Sequence, residues 1–186
     1  MSGGTLSTLI VFGGQTAVVL LAVINSTLKN ILFILHVLSA VYFALGAVLA
    51  TVFTLQVPNT PTLTAKARVM GNNSRVARMV IIPGALLAGL SGLVLAYVEG
   101  PNSFAMFHNG WVIISLALFV AALVLGGVSG PLAAKLRQRV ETEARSGKRP
   151  SADLVKALKA PTPYILTGVN LLITVALVVL MFTKKP

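Results

Sequence analysis

His36 lies inside the apolar run Ile31–Val57 and is the side chain there that can change charge near neutral pH. An ionisable group in hydrocarbon is costly, so it marks a candidate functional position. The other histidine, His108, stands in Phe104-Ala105-Met106-Phe107-His108, between two apolar stretches. Two imidazoles, or an imidazole and a thioether, can ligate haem iron, and His with Met suits Cu(I). Three readings stay open. His36 donates a hydrogen bond to a carbonyl, a Ser or a Tyr of a neighbouring helix. Alternatively it is an axial ligand of haem b, with His108 as a further candidate ligand. In the third reading His36, Met106 and His108 hold copper. His108 also reads as a solvated loop residue beside Trp111.

On a helical wheel the face of His36 carries Ser39, Ala40, Phe43, Ala47 and Ala50. Small residues with one aromatic would accept a close helix or the edge of a flat macrocycle. Other chemistries lack parts. With no cysteine there is no thiolate metal site, iron–sulfur cluster, disulfide or cysteine nucleophile. The four carboxylates, Glu99, Glu141, Glu143 and Asp153, all fall outside the apolar stretches. A transmembrane proton relay, a carboxylate pair or a Ser-His-Asp triad therefore has no credible members, and no catalytic residue is named. Gln15 and Asn170 are the remaining strongly polar residues within apolar stretches, each suited to bonding across a helix interface.

The elements that must position these residues follow from composition. Of 186 residues, 56% are hydrophobic and only 10% charged, too few to cover a water-facing surface. Five stretches, Thr5–Ile24, Ile31–Val57, Met79–Val98, Trp111–Leu132 and Tyr164–Thr183, come close to or exceed the ~20 residues a helix needs to cross the bilayer. The expected fold is an all-α polytopic membrane helix bundle forming a single domain. A four-helix core is joined by one extra N-terminal transmembrane helix, making five spans. No Lys or Arg precedes Lys29, so Thr5–Ile24 lacks the basic region of a signal peptide and reads as a retained helix.

The net charge is +11, and twelve of the fifteen basic residues fall in two segments, Lys66–Arg78 and Lys135–Lys159. The loop Glu99–Gly110 has no Lys or Arg. The positive-inside rule places the two basic segments in the cytoplasm, including the basic loop 133–163, with the N-terminus in and the C-terminus out. His36 and His108 then share the outer leaflet. Nucleic acid is excluded as a partner, because no aromatic platform or recognition motif accompanies the charge.

Local signals refine this layout. Ala65–Arg78 reads as a short amphipathic connector near the inner headgroups, where basic residues suit anionic lipids. Gly84, Ala88 and Gly92 recur every four residues, which permits close approach of another helix. Pro83 starts or kinks its helix. Leu132, Leu136 and Val140 extend the fourth helix past the membrane, and Ser151 caps a short helix over Ala152–Lys159. Arg145–Pro150 between them is a solvated turn. This basic amphipathic pair is expected to rest on the membrane surface, with docking to an acidic partner subunit as the alternative.

Several runs in order, Leu35-His36-Val37-Leu38-Ser39, Pro83-Gly84-Ala85-Leu86, Ser91-Gly92-Leu93-Val94, Gly110-Trp111-Val112-Ile113 and Leu180-Met181-Phe182, resemble an uncharacterised family of bacterial integral membrane proteins. That family sits within the copper-resistance-D-like superfamily, and the resemblance covers Ile31 to Pro186. The superfamily includes haem-binding membrane protoporphyrinogen oxidases with a similar Leu-His pattern in an early helix. The resemblance implies that His36 matches their haem-ligating histidine. This chain departs from them after that point, with Tyr42-Phe43-Ala44-Leu45-Gly46 and no helix-embedded arginine. Thr5–Ile24 has no counterpart in the four-helix core.

These features together suggest a small multi-pass protein of the bacterial cytoplasmic membrane. The first reading of its role is a non-catalytic accessory or structural subunit of a membrane complex, an electron-transfer assembly among the candidates, or a homo-oligomer. The alternatives are a b-type haem protein ligated by His36 and a copper-handling protein.

Overall fold

The structure is a computed structural model that describes the backbone of residues 4–99, 110–147 and 149–183, with side chains described for 26–98, 110–147 and 149–183. The helices are α1 (Gly4–Asn59), α2 (Leu63–Val76), α3 (Ile82–Glu99), α4 (Gly110–Ser146), α5 (Ala152–Lys159) and α6 (Thr162–Thr183). Among the described residues there is no strand. Four segments are long and apolar enough to cross a membrane: Ser26–Asn59, Leu63–Val98, Gly110–Ser146 and Ala152–Thr183.

The expected five spans are thus four among the described residues. No turn separates Thr5–Ile24 from Ile31–Val57, because α1 runs unbroken from Gly4 to Asn59. The polar stretch Asn25–Asn30 contains neither Gly nor Pro, so nothing forces the backbone out of its helical hydrogen bonds. An N-terminus in the cytoplasm required a return of the chain at that stretch, and a continuous helix makes none.

Bilayer solvation is visible in the inverted surface. Large apolar side chains point outward along the helices, with Leu172 70% and Phe182 79% exposed. Small residues fill the contacts between helices instead: Ala47, Ala85, Ala88, Ser39 and Ser91 are buried. In lipid the association of helices rests on such close packing, since the tails are as apolar as leucine.

α1 lies along α3, and α4 lies along α6, with α1 also meeting α6. α1 comes against the backbone of α3 at Gly84, where an added Cβ would stand 2.9 Å from the Phe43 nitrogen and 3.0 Å from its Cα. Phe43 in turn meets Phe119 of α4 edge-on, with ring centroids 6.4 Å apart. Phe119 covers Gly89, whose added Cβ would be 3.0 Å from Cε1.

α2 and α3 form one continuous helix joined by a π-helical turn, Ala77–Ile81. Pro83 explains the widening. It has no N–H to return to the carbonyl of Met79, and its ring crowds that carbonyl. The Met79 oxygen accepts instead from the hydroxyl of Tyr42 on α1, at 3.0 Å. The amphipathic segment expected at Ala65–Arg78 is therefore an extension of the spanning helix rather than a separate connector.

At the end of the bundle that carries the basic residues, the helices build a tightly buried apolar core. Val57, Met70, Val140 and Leu154 are buried together, flanked by Leu63, Ala67, Val69, Leu136 and Leu158. Val140 is 0% and Leu154 2% exposed. The apolar stripes of the α4 extension and α5, expected on the membrane surface, are turned onto α1 and α2. Ser151 caps α5 by accepting from the Leu154 N–H at 3.3 Å. Gly147, at φ 65°, ends α4 in the left-handed conformation that glycine adopts without strain. Glu143 then ties the two helices, accepting from the Ser151 N–H at 2.8 Å and from its hydroxyl at 2.7 Å.

Candidate functional site

His36 faces α3 from the same helix face as Ser39, Phe43 and Ala47. Two sequence-level features meet here. The small face of α1 packs on the Gly84, Ala88 and Gly92 row of α3.

The ring is clamped on one side. Nδ1 lies 2.9 Å from the carbonyl oxygen of Ala88 and 3.4 Å from the Ser91 hydroxyl. A carbonyl oxygen only accepts, so Nδ1 carries a proton, and in the neutral ring Nε2 holds the lone pair. Gly92 makes room for the ring, since an added Cβ would stand 2.8 Å from Cε1 and 3.1 Å from Nδ1. The Ser91 hydroxyl also donates to the Leu87 carbonyl at 2.5 Å, and Ser39 donates to the Leu35 carbonyl at 2.6 Å. The surrounding hydroxyls are thus anchored within their own helices.

This arrangement can do two things chemically. It cross-links α1 and α3 by a part-buried hydrogen bond. It also leaves an oriented nitrogen lone pair, because a ring held by Nδ1–H on a backbone carbonyl is the arrangement typical of metal-ligating imidazoles. A haem fits His36 in that respect: Nε2 is the atom that would bind iron.

The remaining expected site residues are not brought to His36. Met106 and His108 lie outside the described residues. Among the described residues no group of three or more His, Cys, Asp or Glu side chains is placed to hold a metal ion. Asn170 of α6 presents its side-chain oxygen to the interior with no donor among the described residues, while its backbone carbonyl accepts from the buried Thr174 hydroxyl at 2.8 Å. Gln15 lies where side chains are not described.

Sequence reasoning missed the Ala88 carbonyl as the specific partner of His36. It also missed the role of Tyr42. The absent N–H of Pro83 signals a free carbonyl at Met79, yet only the helix pairing says which side chain reaches it.

A family model described as Predicted integral membrane protein (DUF2269) matches residues 30–185. The chain belongs to this family. The family match opens at Asn30 and takes in His36, the Gly84–Gly92 row, most of the first candidate span and the whole of the other three. It leaves out the first apolar stretch, Thr5–Ile24, which the sequence had set apart from the four-helix core. No curated protein and no solved structure matches the chain. The copper-resistance-D-like superfamily and its haem oxidases are not among the matches.

Proposed function

We propose that this family member is a non-catalytic accessory or structural subunit of a complex in the bacterial cytoplasmic membrane, in which His36 clamps α1 to α3. The observation that carries this reading is the engagement of the ring. Nδ1 is bonded to the Ala88 carbonyl at 2.9 Å, and the ring fills the space that Gly92 leaves open. The absence of cysteine and the placement of every carboxylate outside the apolar stretches support a role without chemistry. The lipid-facing surfaces and the basic end supply contacts for neighbouring subunits. The positive-inside rule supports a cytoplasmic basic end and an outer C-terminus.

The second reading is a b-type haem protein, favoured by the free lone pair on Nε2. His36 would then be an axial ligand, and bound haem would supply one-electron transfer. Copper with Met106 and His108 has no comparable observation behind it.

The absorption spectrum of protein purified in mild detergent separates the two. The accessory reading expects no Soret band, and a native mass above that of the single chain. A stoichiometric Soret band lost in His36→Ala would replace it with the haem reading.

A further inference from the structure

We propose that the cleft between α2 and the water-side end of α4 binds a phosphate-bearing anion. The cleft has a volume of about 820 Å³ and is lined by five arginines: Arg68, Arg75 and Arg78 from the α2 side, and Arg137 and Arg145 from α4. Its one carboxylate, Glu141, is bonded to Arg137 at 2.6 Å. Among the described residues, Arg68, Arg75, Arg78 and Arg145 have no ion-pair or hydrogen-bond partner. The cleft therefore holds a surplus of positive charge from two helices whose sequence positions are some sixty residues apart.

Three features make this more than a solvated basic surface. First, the basic residues lining the cleft are all arginines, although lysines are frequent at this end of the protein. Lys66 is turned away to the end of α1, where it donates to the carbonyls of Val57 and Pro58. Arginine presents a planar fork of donors that matches phosphate oxygens two at a time, which an ammonium cannot do. Second, the two walls are fixed by the buried Val57, Met70, Val140 and Leu154 cluster, so the guanidinium groups cannot spread apart by separating the helices. Third, Gly71 forms part of the wall opposite Arg137, and an added Cβ there would stand 4.0 Å from the guanidinium carbon. Asn72 and Thr64 add neutral donors to the lining.

The placement suits phosphate arriving from either of two sources. Arg78 borders the apolar run that opens at Met79, so it would stand at headgroup level if that run fills the hydrocarbon. Arg68 is ten residues further along the same helix, about 15 Å deeper into the water phase. A lipid phosphate would engage the Arg78 end, and a soluble phosphate compound could lie along the whole cleft.

The test uses the full chain in a neutral detergent, with the thermal unfolding midpoint followed during titration. The probes are inorganic pyrophosphate, phosphatidylglycerol and zwitterionic phosphatidylcholine, each at matched ionic strength. The expected result is a saturable rise in midpoint with pyrophosphate, phosphatidylglycerol or both. A response to phosphatidylglycerol alone assigns the phosphate to a lipid headgroup, and one to pyrophosphate alone assigns it to a soluble compound. The paired substitution Arg68→Gln and Arg75→Gln should weaken apparent affinity by about tenfold or more. Arg145→Gln, on the opposite wall, should weaken it as well, and decides the matter should the paired variant fail to fold. Arg139→Gln with Lys156→Gln removes equal charge outside the cleft and should leave affinity within about twofold. No saturable rise with either anion, an equal rise with phosphatidylcholine, or an equal loss in the control pair would overturn the site. A response to poly-glutamate without one to either phosphate probe would also overturn it, in favour of an acidic protein partner.

Discussion

A half-buried imidazole between helices has two nitrogens to satisfy, and the environment of each decides what the residue is for. At His36 one nitrogen is bonded to the Ala88 carbonyl, and Gly92 lets the ring lie flat against α3. Removing the ring should cost a helix–helix hydrogen bond, about 0.6–2 kcal/mol in a membrane setting. His36→Ala should therefore lower unfolding stability in micelles by that amount, and His36→Gln, which keeps a donor, should recover part of it. Gly92→Ala should produce a similar loss by displacing the ring, since its Cβ would fall 2.8 Å from Cε1. If His36→Ala proves neutral while Gly92→Ala is damaging, the bond does not hold the helices together. The kind of partner was legible in the sequence, because an imidazole in hydrocarbon needs a carbonyl or hydroxyl. Its identity was not, because Ala88 has no polar side chain to announce it.

Between elements, the decisive contacts are made by what the side chains lack. The row Gly84, Ala88 and Gly92 signals close packing from spacing alone, but only the pairing of α3 with α1 makes Gly84 the tightest of the three against backbone. A methyl group at Gly84 would meet the Phe43 backbone at 2.9 Å and 3.0 Å, and backbone cannot rotate aside. Gly126 and Gly130 on α4 meet nothing within 4 Å. Gly84→Ala should lower the unfolding midpoint sharply, whereas Gly126→Ala should leave it unchanged or raise it by the helix propensity gained, up to about 1 kcal/mol. Equal effects at the two positions would contradict the α1–α3 contact. The basic-end elements were readable for a different reason. Ser151, Asp153 and the Leu132, Leu136, Val140 spacing are local signals, and α5 forms over Ala152–Lys159 as they imply. What those stripes would pack against is not a local property. The structure packs Leu136, Val140 and Leu154 with Val57 of α1 and Met70 of α2, while Leu132 stays exposed.

For the whole molecule, four long apolar helices and an apolar exterior support a bilayer position, and the proposal that the basic end faces the cytoplasm rests on the positive-inside rule alone. In intact cells, a membrane-impermeant thiol reagent should label Ala105→Cys and spare Thr142→Cys until the membrane is opened. The opposite pattern would reverse the orientation and place the arginine cleft on the outer side. Labelling of both positions in intact cells would contradict the spanning role of α4.

Composition, hydrophobic run length and cap residues determined by themselves that this chain is an all-helical membrane protein and where α5 begins. Each of these is a property of neighbouring residues, so it can be read along the chain. The tertiary structure decided which small faces meet, that Ala88 receives His36, that Tyr42 serves the carbonyl left free by Pro83, and that five arginines from α2 and α4 line one cleft. Lipid solvates every apolar helix face nearly alike, so hydropathy cannot rank one pairing above another. Close steric fit between distant segments makes that choice, and it exists only once the helices are together.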